Sequence, residues 1–340
     1  IMQGYRNQLI VRVDGLVEPT VPLGAALERT GVLNGVAFAT AHVPNAPLSS
    51  WRRHLIQQVG EYVLVVDRLR FRAESDSVEI QTSWDTPPLS WNDNERRLEV
   101  SLVRPDGLPD EPTRKWAICP SDQVTPSVHS GKVTGSADLS RFRAVVDGTV
   151  DAGATLIAPL SIEEGSPGPA CRRLDGQRIM CSLPPDQPGS PGHPALLIVD
   201  PSGVADAELM LVEPGRLLAL GATELRGPIP LLRSDKPLSL CWDIAAARLD
   251  VHVPVDTRIR LQVTGHVVVD GIAAAPGDVA MSGPGIALSV GVHTIRGALL
   301  STVARDCLLA SLRDAQAVLD RKVARASGGQ EDDPPAGPFA

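Results

Sequence analysis

The stretch that most constrains this chain is residues 51–67, WRRHLIQQVGEYVLVVD. Its second half, Tyr62-Val63-Leu64-Val65-Val66, is a continuous, mostly β-branched apolar run. Such a run is too short for a typical free-standing helix and suits a strand buried on both faces. Gly60 supplies a turn, so Trp51–Gln58 and Glu61–Asp67 read as two strands folded back on each other. On the first of these, alternation puts Arg52 and His54 on one face and Arg53 and Leu55 on the other.

The same grammar repeats along the chain. QLIVRV (8–13), GVAFATA (35–41), SVEIQTSW (77–84), RLEVSLV (97–103), 115–119, 141–146 and 155–160 read as strands of a first β-rich unit. Residues 17–31 are ambiguous: Pro19 and Pro22 argue against a strand, and Leu23–Arg29 suits one helical turn. From Ala195 the strands resume as ALLIVD, AELMLV and RLLAL, then LSLCWD, ARLDVHV, TRIRLQV, HVVVDG, GIALSV and HTIRG. Turn signals such as Asp270-Gly271, Pro276-Gly277 and Pro284-Gly285 separate several of them, the spacing of an all-β sandwich. Gly and Pro number 30 each, which fits turns and sheets better than helices, and with only 3% aromatics Val, Leu, Ile and Ala must fill the core. The one convincing helix lies at 298–326, where Leu308, Leu312, Ala315 and Leu319 recur at helical spacing.

The expected fold class is therefore mainly β: stacked antiparallel β-sandwich domains with one C-terminal α-helix. The expected divisions are a sandwich over 1–162, a Pro/Gly-rich loop or linker over 163–194, a second sandwich over 195–298, the helix over 299–326 and a flexible tail over 327–340. The opening IMQGYRNQLIV, without a signal peptide, and the closing SGGQEDDPPAGPFA read as the ends of a segment of a longer protein. No stretch approaches the ~18 apolar residues of a membrane span.

A net charge of -8 argues against nucleic acid as a partner. Positive charge gathers in one place, at Arg52, Arg53, His54, Arg68, Arg70 and Arg72. It reads either as solvated strand faces and edge guards or as a cleft for an anionic ligand. A cation beside His54 would lower its imidazole pKa and favour the neutral form. Trp51, Trp84 and Trp91 suit either sugar stacking or the capping of a sandwich core. The five cysteines contain no C-x-x-C pair, and neither a metal nor a cofactor is implied. Cys171 and Cys181 flank a polar turn and read either as a disulfide-closed hairpin or as buried thiols. A phosphate-binding glycine loop, G-x-S-x-G and H-E-x-x-H are all absent from the sequence.

Three segments in order, YRNQLIVRVDG, SSWRRHLIQQVGEYVLVVDRL and SVEIQTSWD, resemble the C-terminal β-sandwich region of the heparinase II/III-like polysaccharide lyases. The matching positions are Asn7, Asp14 and Gly15; Trp51 and Arg53; Gly60, Tyr62, Val65, Val66 and Asp67; and Trp84. Arg6 stands where that family often has a histidine. The resemblance implies a missing N-terminal α/α toroid that would carry most of the machinery for β-elimination on uronic-acid polysaccharides. It also implies a periplasmic or extracellular setting. The substrate-contacting candidates are then Arg6, Asn7, Trp51, Arg53, His54 and Trp84, with an acidic polysaccharide as partner and no lyase turnover from this segment alone. The competing expectation is a non-catalytic structural or adhesive module of a large surface protein.

Overall fold

In a computed structural model the 51–67 stretch forms an antiparallel hairpin, Ser49–Gln58 against Tyr62–Phe71. Gly60 adopts a positive φ of 83° at the turn, and the Glu61 amide donates to the Gln58 carbonyl at 3.1 Å. Leu64, Val65, Val66 and Asp67 are all buried, so this strand is covered on both faces. The structure describes residues 7–13, 15–17, 26–44, 49–71, 75–86, 89–92, 97–102, 114–121, 127–130, 135–145, 150–160, 168–184, 192–201, 204–226, 230–263, 265–297, 306, 310 and 312–321.

The described residues form three antiparallel sheets. The first places the strands in the order 127–130, 135–145, 75–86, 7–13 and 16–17. The second, which holds the hairpin, runs 26–33, 36–43, 49–58, 62–71, 150–159, 114–120, 97–102 and 89–92. The third is built from residues 170–297 and begins with the hairpin of Ala170–Arg173 and Arg178–Leu183.

The early strands of the third sheet form a middle layer between the second sheet and the later strands of the third, and their sequence shows why. Along Leu196–Val199 and Leu209–Val212 successive side chains belong alternately to two cores. Leu197, Val199, Leu209 and Leu211 join Ile56, Leu64 and Val66 of the second sheet. Leu196, Ile198, Met210 and Val212 face the other way, toward Leu249, Val251, Ile259, Val267 and Ile295 from the later strands of the same sheet. A strand with apolar neighbours on both faces must read as a continuous apolar run, and LLIV and LMLV do. Each fully buried Leu, Ile or Val contributes about 1.5–3 kcal/mol of transfer free energy.

The mainly β class is as expected. Two details differ from the sequence reading, and two others fall within it. Residues 26–29 lie in strand Ala26–Leu33 rather than in a helical turn, because Asn34 and Gly35, both with positive φ, fold that strand back onto Val36–Val43. Within 163–194, read as loop or linker, the described residues include a hairpin. Ile179, Met180, Cys181 and Leu183 are buried there, and this apolar burial outweighs the flanking prolines and glycines. Cys171 and Cys181 sit directly opposite each other as thiols, with their Sγ atoms 3.4 Å apart. At the C-terminus, residues 312–321 are helical. Leu312 and Ala315 are buried in the last core, with Val318 and Leu319 packed against it. No helix of the described residues is long and apolar enough to cross a membrane.

A candidate anion cleft on the second sheet

Register decides which of the hairpin's polar side chains meet. Ser50 pairs with Arg70, Arg52 with Arg68 and His54 with Val66. On the neighbouring strand His42 pairs with Arg52 and Thr40 with His54. These side chains share one face by alternation, the face turned toward the third sheet. The row grades from exposed Arg70, through half-buried Arg52 and Arg68, to His54 at 0% exposure.

Two arginines directly opposite each other on adjacent strands repel. Carboxylates from elsewhere offset that. Glu208, carried on the third sheet, accepts two bonds from the Arg29 guanidinium at 2.9 and 3.0 Å and lies 3.4 Å from Arg52. Glu28 pairs with Arg52 at 3.2 Å and with His42 at 2.9 Å. Asp200 approaches Arg68 only to 3.8 Å. Burial alone would raise the Glu208 carboxyl; its bonds to Arg29 and the nearby Arg52 hold it below its ordinary value. It is therefore a fixed anion that locks the two sheets together.

The cations are less completely answered. Arg68 Nε is buried without a hydrogen bond, and burial pushes this guanidinium below its ordinary value while Asp200 and Glu208 oppose the shift. Arginine keeps its charge regardless, so the unmet desolvation is relieved when an anion arrives. Arg70 has no described ion-pair partner. A cleft of about 210 Å³ opens here, lined by His42, Ser50, Arg52, Arg68, Leu69 and Arg70.

His54 lies inside this cluster. Its Nδ1 is 3.0 Å from Thr40 Oγ1, and its Nε2 is buried without a partner. Burial is the main reason its pKa falls from 6.5 to about 3; Glu208 raises it, and Arg68, Arg29 and Arg52 lower it further. The neutral imidazole expected from the sequence is thus due first to desolvation and only second to the neighbouring cations.

On the other face of the hairpin the motif's side chains bond to one another. Asp67, opposite Arg53 in the ladder, accepts from Arg53 Nε at 2.7 Å, from Arg53 Nη2 at 2.9 Å and from Trp51 Nε1 at 2.8 Å. The Arg53 guanidinium also lies 4.9 Å from the centroid of the Trp51 ring. The Trp, Arg and Asp of the motif therefore hold one another. Asn7 and Trp84 are cross-strand partners in the first sheet, apart from this trio in the strand order. Arg6 lies outside the described residues. The side chains that sequence reasoning passed over are Glu28, Arg29, His42, Asp200 and Glu208. His42 could have been placed from the Asn34-Gly35 turn; Glu208 carries no local signal. Among the described residues no group of three His, Cys, Asp or Glu side chains is placed to hold a metal ion.

No protein-family model matches the chain, and no curated protein matches it. Among solved structures it is similar to the heparan sulfate lyase HepC from Pedobacter heparinus, with a TM-score of 0.37 and 12% identity over 60% of this chain and 29% of that one. A heparinase III structure gives a TM-score of 0.35 and 10% identity over 54% of this chain and 28% of that one. The likeness to heparinase III-like structures is distant. The chain spans less than a third of the length of these lyases.

Proposed function

We propose that this chain is the β-sandwich portion of a heparinase II/III-like protein and that it binds acidic polysaccharide. The observation that carries the reading is the cleft, where Arg68 and Arg70 stand incompletely paired beside Ser50 and half-buried Arg52. A uronate carboxylate supplies the missing acceptor. Two parallel N–H donors on a guanidinium match a carboxylate in bidentate fashion, and Ser50 offers a hydroxyl for a ring oxygen or hydroxyl. His54 is neutral and fully buried at the closed end of the row, so it adds no charge and offers no base at the surface.

On this reading the isolated chain binds uronic polymers and does not cleave them. The test is affinity electrophoresis of the protein through gels containing alginate or heparan, with a neutral glucan as control, alongside absorbance of unsaturated products. Retardation by the acidic polymers alone, lost in Arg70→Ala with the melting temperature unchanged, supports the proposal. Equal mobility in every gel, or retardation that survives both Arg70→Ala and Arg68→Ala, defeats it. Accumulation of unsaturated product would mean that the chain carries its own catalytic groups.

A further inference from the structure

The later strands of the third sheet leave a second concavity that the proposed function does not use. The long strand Pro230–Asp243 pairs through its first half with Thr257–Leu261 and through its second half with Arg248–Val253. The sheet therefore splits into two arms. One arm ends on the strand Ile286–Leu288, which among the described residues pairs only with Thr257–Leu261. The other ends on Ile272–Ala274, which among the described residues pairs only with Val267–Val269. Both end strands line the same cavity of about 780 Å³. It is a groove with an unpaired strand edge on either side.

Each edge is guarded by its shortness alone, three residues apiece. The edge residues are Ile272-Ala273-Ala274 and Ile286-Ala287-Leu288, without lysine, proline or a register shift. Proteins normally blunt an open edge with one of these devices. Ile272 is 73% exposed at the mouth, which leaves apolar surface waiting for cover.

The hairpin geometry shows where one edge points. Asp270 and Gly271 both have positive φ, 50° and 84°, the two-residue turn that closes on a hydrogen-bonded Val269–Ile272 pair. The next pair, Val268–Ala273, is then the non-hydrogen-bonded kind, so the Ala273 amide and carbonyl face outward. The turn is held rigid. The Asp270 carboxylate accepts from His293 Nδ1 at 2.6 Å and from the Thr294 amide at 2.8 Å, and His293 Nε2 donates to the Ser289 carbonyl at 2.8 Å. His293 thus ties the turn of one arm to the end of the other.

The charges around the groove select among extended chains. Asp235 is paired with Arg260, and Asp270 with His293. Asp256 accepts from the Val290 amide. Lys236 and Arg258, which also line the groove, have no carboxylate partner among the described residues.

We propose that this groove binds an extended peptide of another protein, alternately apolar and carrying an acidic residue, which adds as a strand between the two open edges. Backbone hydrogen bonds to Ala273 give affinity, alternate side chains fill the floor beside Val269 and Leu288, and the acidic residue meets Lys236 and Arg258. The inference is independent of the polysaccharide cleft.

The probe is a fluorescein-labelled, amidated peptide Glu-Val-Thr-Val-Thr-Val, titrated with the full chain by fluorescence anisotropy and mapped by amide hydrogen exchange. Saturable binding is expected, with protection confined to 272–274 and 286–288. Ala273→Pro removes only the outward-facing amide, so it should abolish binding while the melting temperature holds. Arg258→Glu should weaken binding about fivefold, and a peptide beginning with Lys in place of Glu should bind more weakly than the acidic one. Absence of saturable binding, protection elsewhere, or full affinity in Ala273→Pro overturns the proposal. So does concentration-dependent self-association that Ala273→Pro abolishes, since the groove would then be filled by a second copy of this chain.

Discussion

His54 should make this protein acid-sensitive, and the size of the effect follows from its surroundings. Its folded pKa is depressed to about 3 by burial, against 6.5 when exposed. Between those values the unfolded chain binds a proton at this residue and the folded chain does not. Stability therefore rises with pH across the window from about 3 to 6.5 and falls as the solution is acidified through it. One proton costs about 1.4 kcal/mol per pH unit. Two units below 6.5 the penalty reaches about 2–3 kcal/mol. Acid also protonates carboxylates such as Glu208, so the wild-type slope alone does not isolate the histidine. His54→Asn keeps a polar atom near the Nδ1 position for Thr40 Oγ1 and removes the titrating ring. The assay is urea unfolding of both proteins at about pH 7.5 and about pH 4.5. The wild type should lose about 2–3 kcal/mol more than the variant over that interval. Equal losses, within about 0.5 kcal/mol, would mean that the imidazole is solvated or already charged in the fold. The assignment of a dry, neutral imidazole at the buried end of the row would then fall with it.

Other outcomes follow from the same contacts. Arg53→Ala should lower stability by about 2 kcal/mol by stranding Asp67, while polysaccharide retardation stays unchanged because its guanidinium faces away from the cleft; urea unfolding and gel mobility on one sample decide this. Tyr62→Phe removes the hydroxyl that donates to Glu213 at 2.9 Å and should cost about 1–2 kcal/mol by chemical denaturation. The His293 pKa is raised by its bonds to Asp270 and the Ser289 carbonyl against the opposing effect of burial. Its stabilisation is complete below the unfolded value and is lost as pH rises through the higher folded one, so His293→Ala should narrow its deficit relative to wild type on going from mildly acidic to alkaline solution, read from thermal midpoints. Cys119, Cys171, Cys181 and Cys241 are buried, so a thiol reagent should modify at most one of the five cysteines before unfolding and all five after it.

What the sequence showed of the fold was its periodicity. Leu64, Val65 and Val66 read as a strand covered on both faces because no other environment accepts such a run. LLIV and LMLV are runs of the same kind, but that they lie between two cores came from the structure. The Asn34-Gly35 turn was also legible: a two-residue loop with both φ positive favours these residue types, and it fixes His42 opposite Arg52. The segment around Cys171 was obscured because its prolines and glycines flank a short apolar hairpin, and composition averages over both.

The cleft was legible only by half, for a physical reason. Alternation within one strand placed Arg52 and His54 together, and the count of arginines marked the hairpin as cationic. Whether those arginines are available depends on which carboxylates reach them, and that is set by sheet stacking rather than by spacing. Arg53 looked as exposed as Arg52 in the sequence, yet Asp67 of the paired strand consumes it. Glu208, far along the chain from Arg29, binds that arginine in bidentate fashion and also lies near Arg52, and among the described residues Arg68 has an ion pair only with Asp200, at 3.8 Å. The site is thus defined by a mismatch: several arginines converge on too few well-placed acids, and the shortfall falls at the open end of the row, at Arg68 and Arg70. Adding a carboxylate there, as in Ser50→Asp, should fill the cleft from within. It should strengthen the pairing of the two hairpin strands and abolish retardation by acidic polymers, a combination that a merely solvated strand face would not produce.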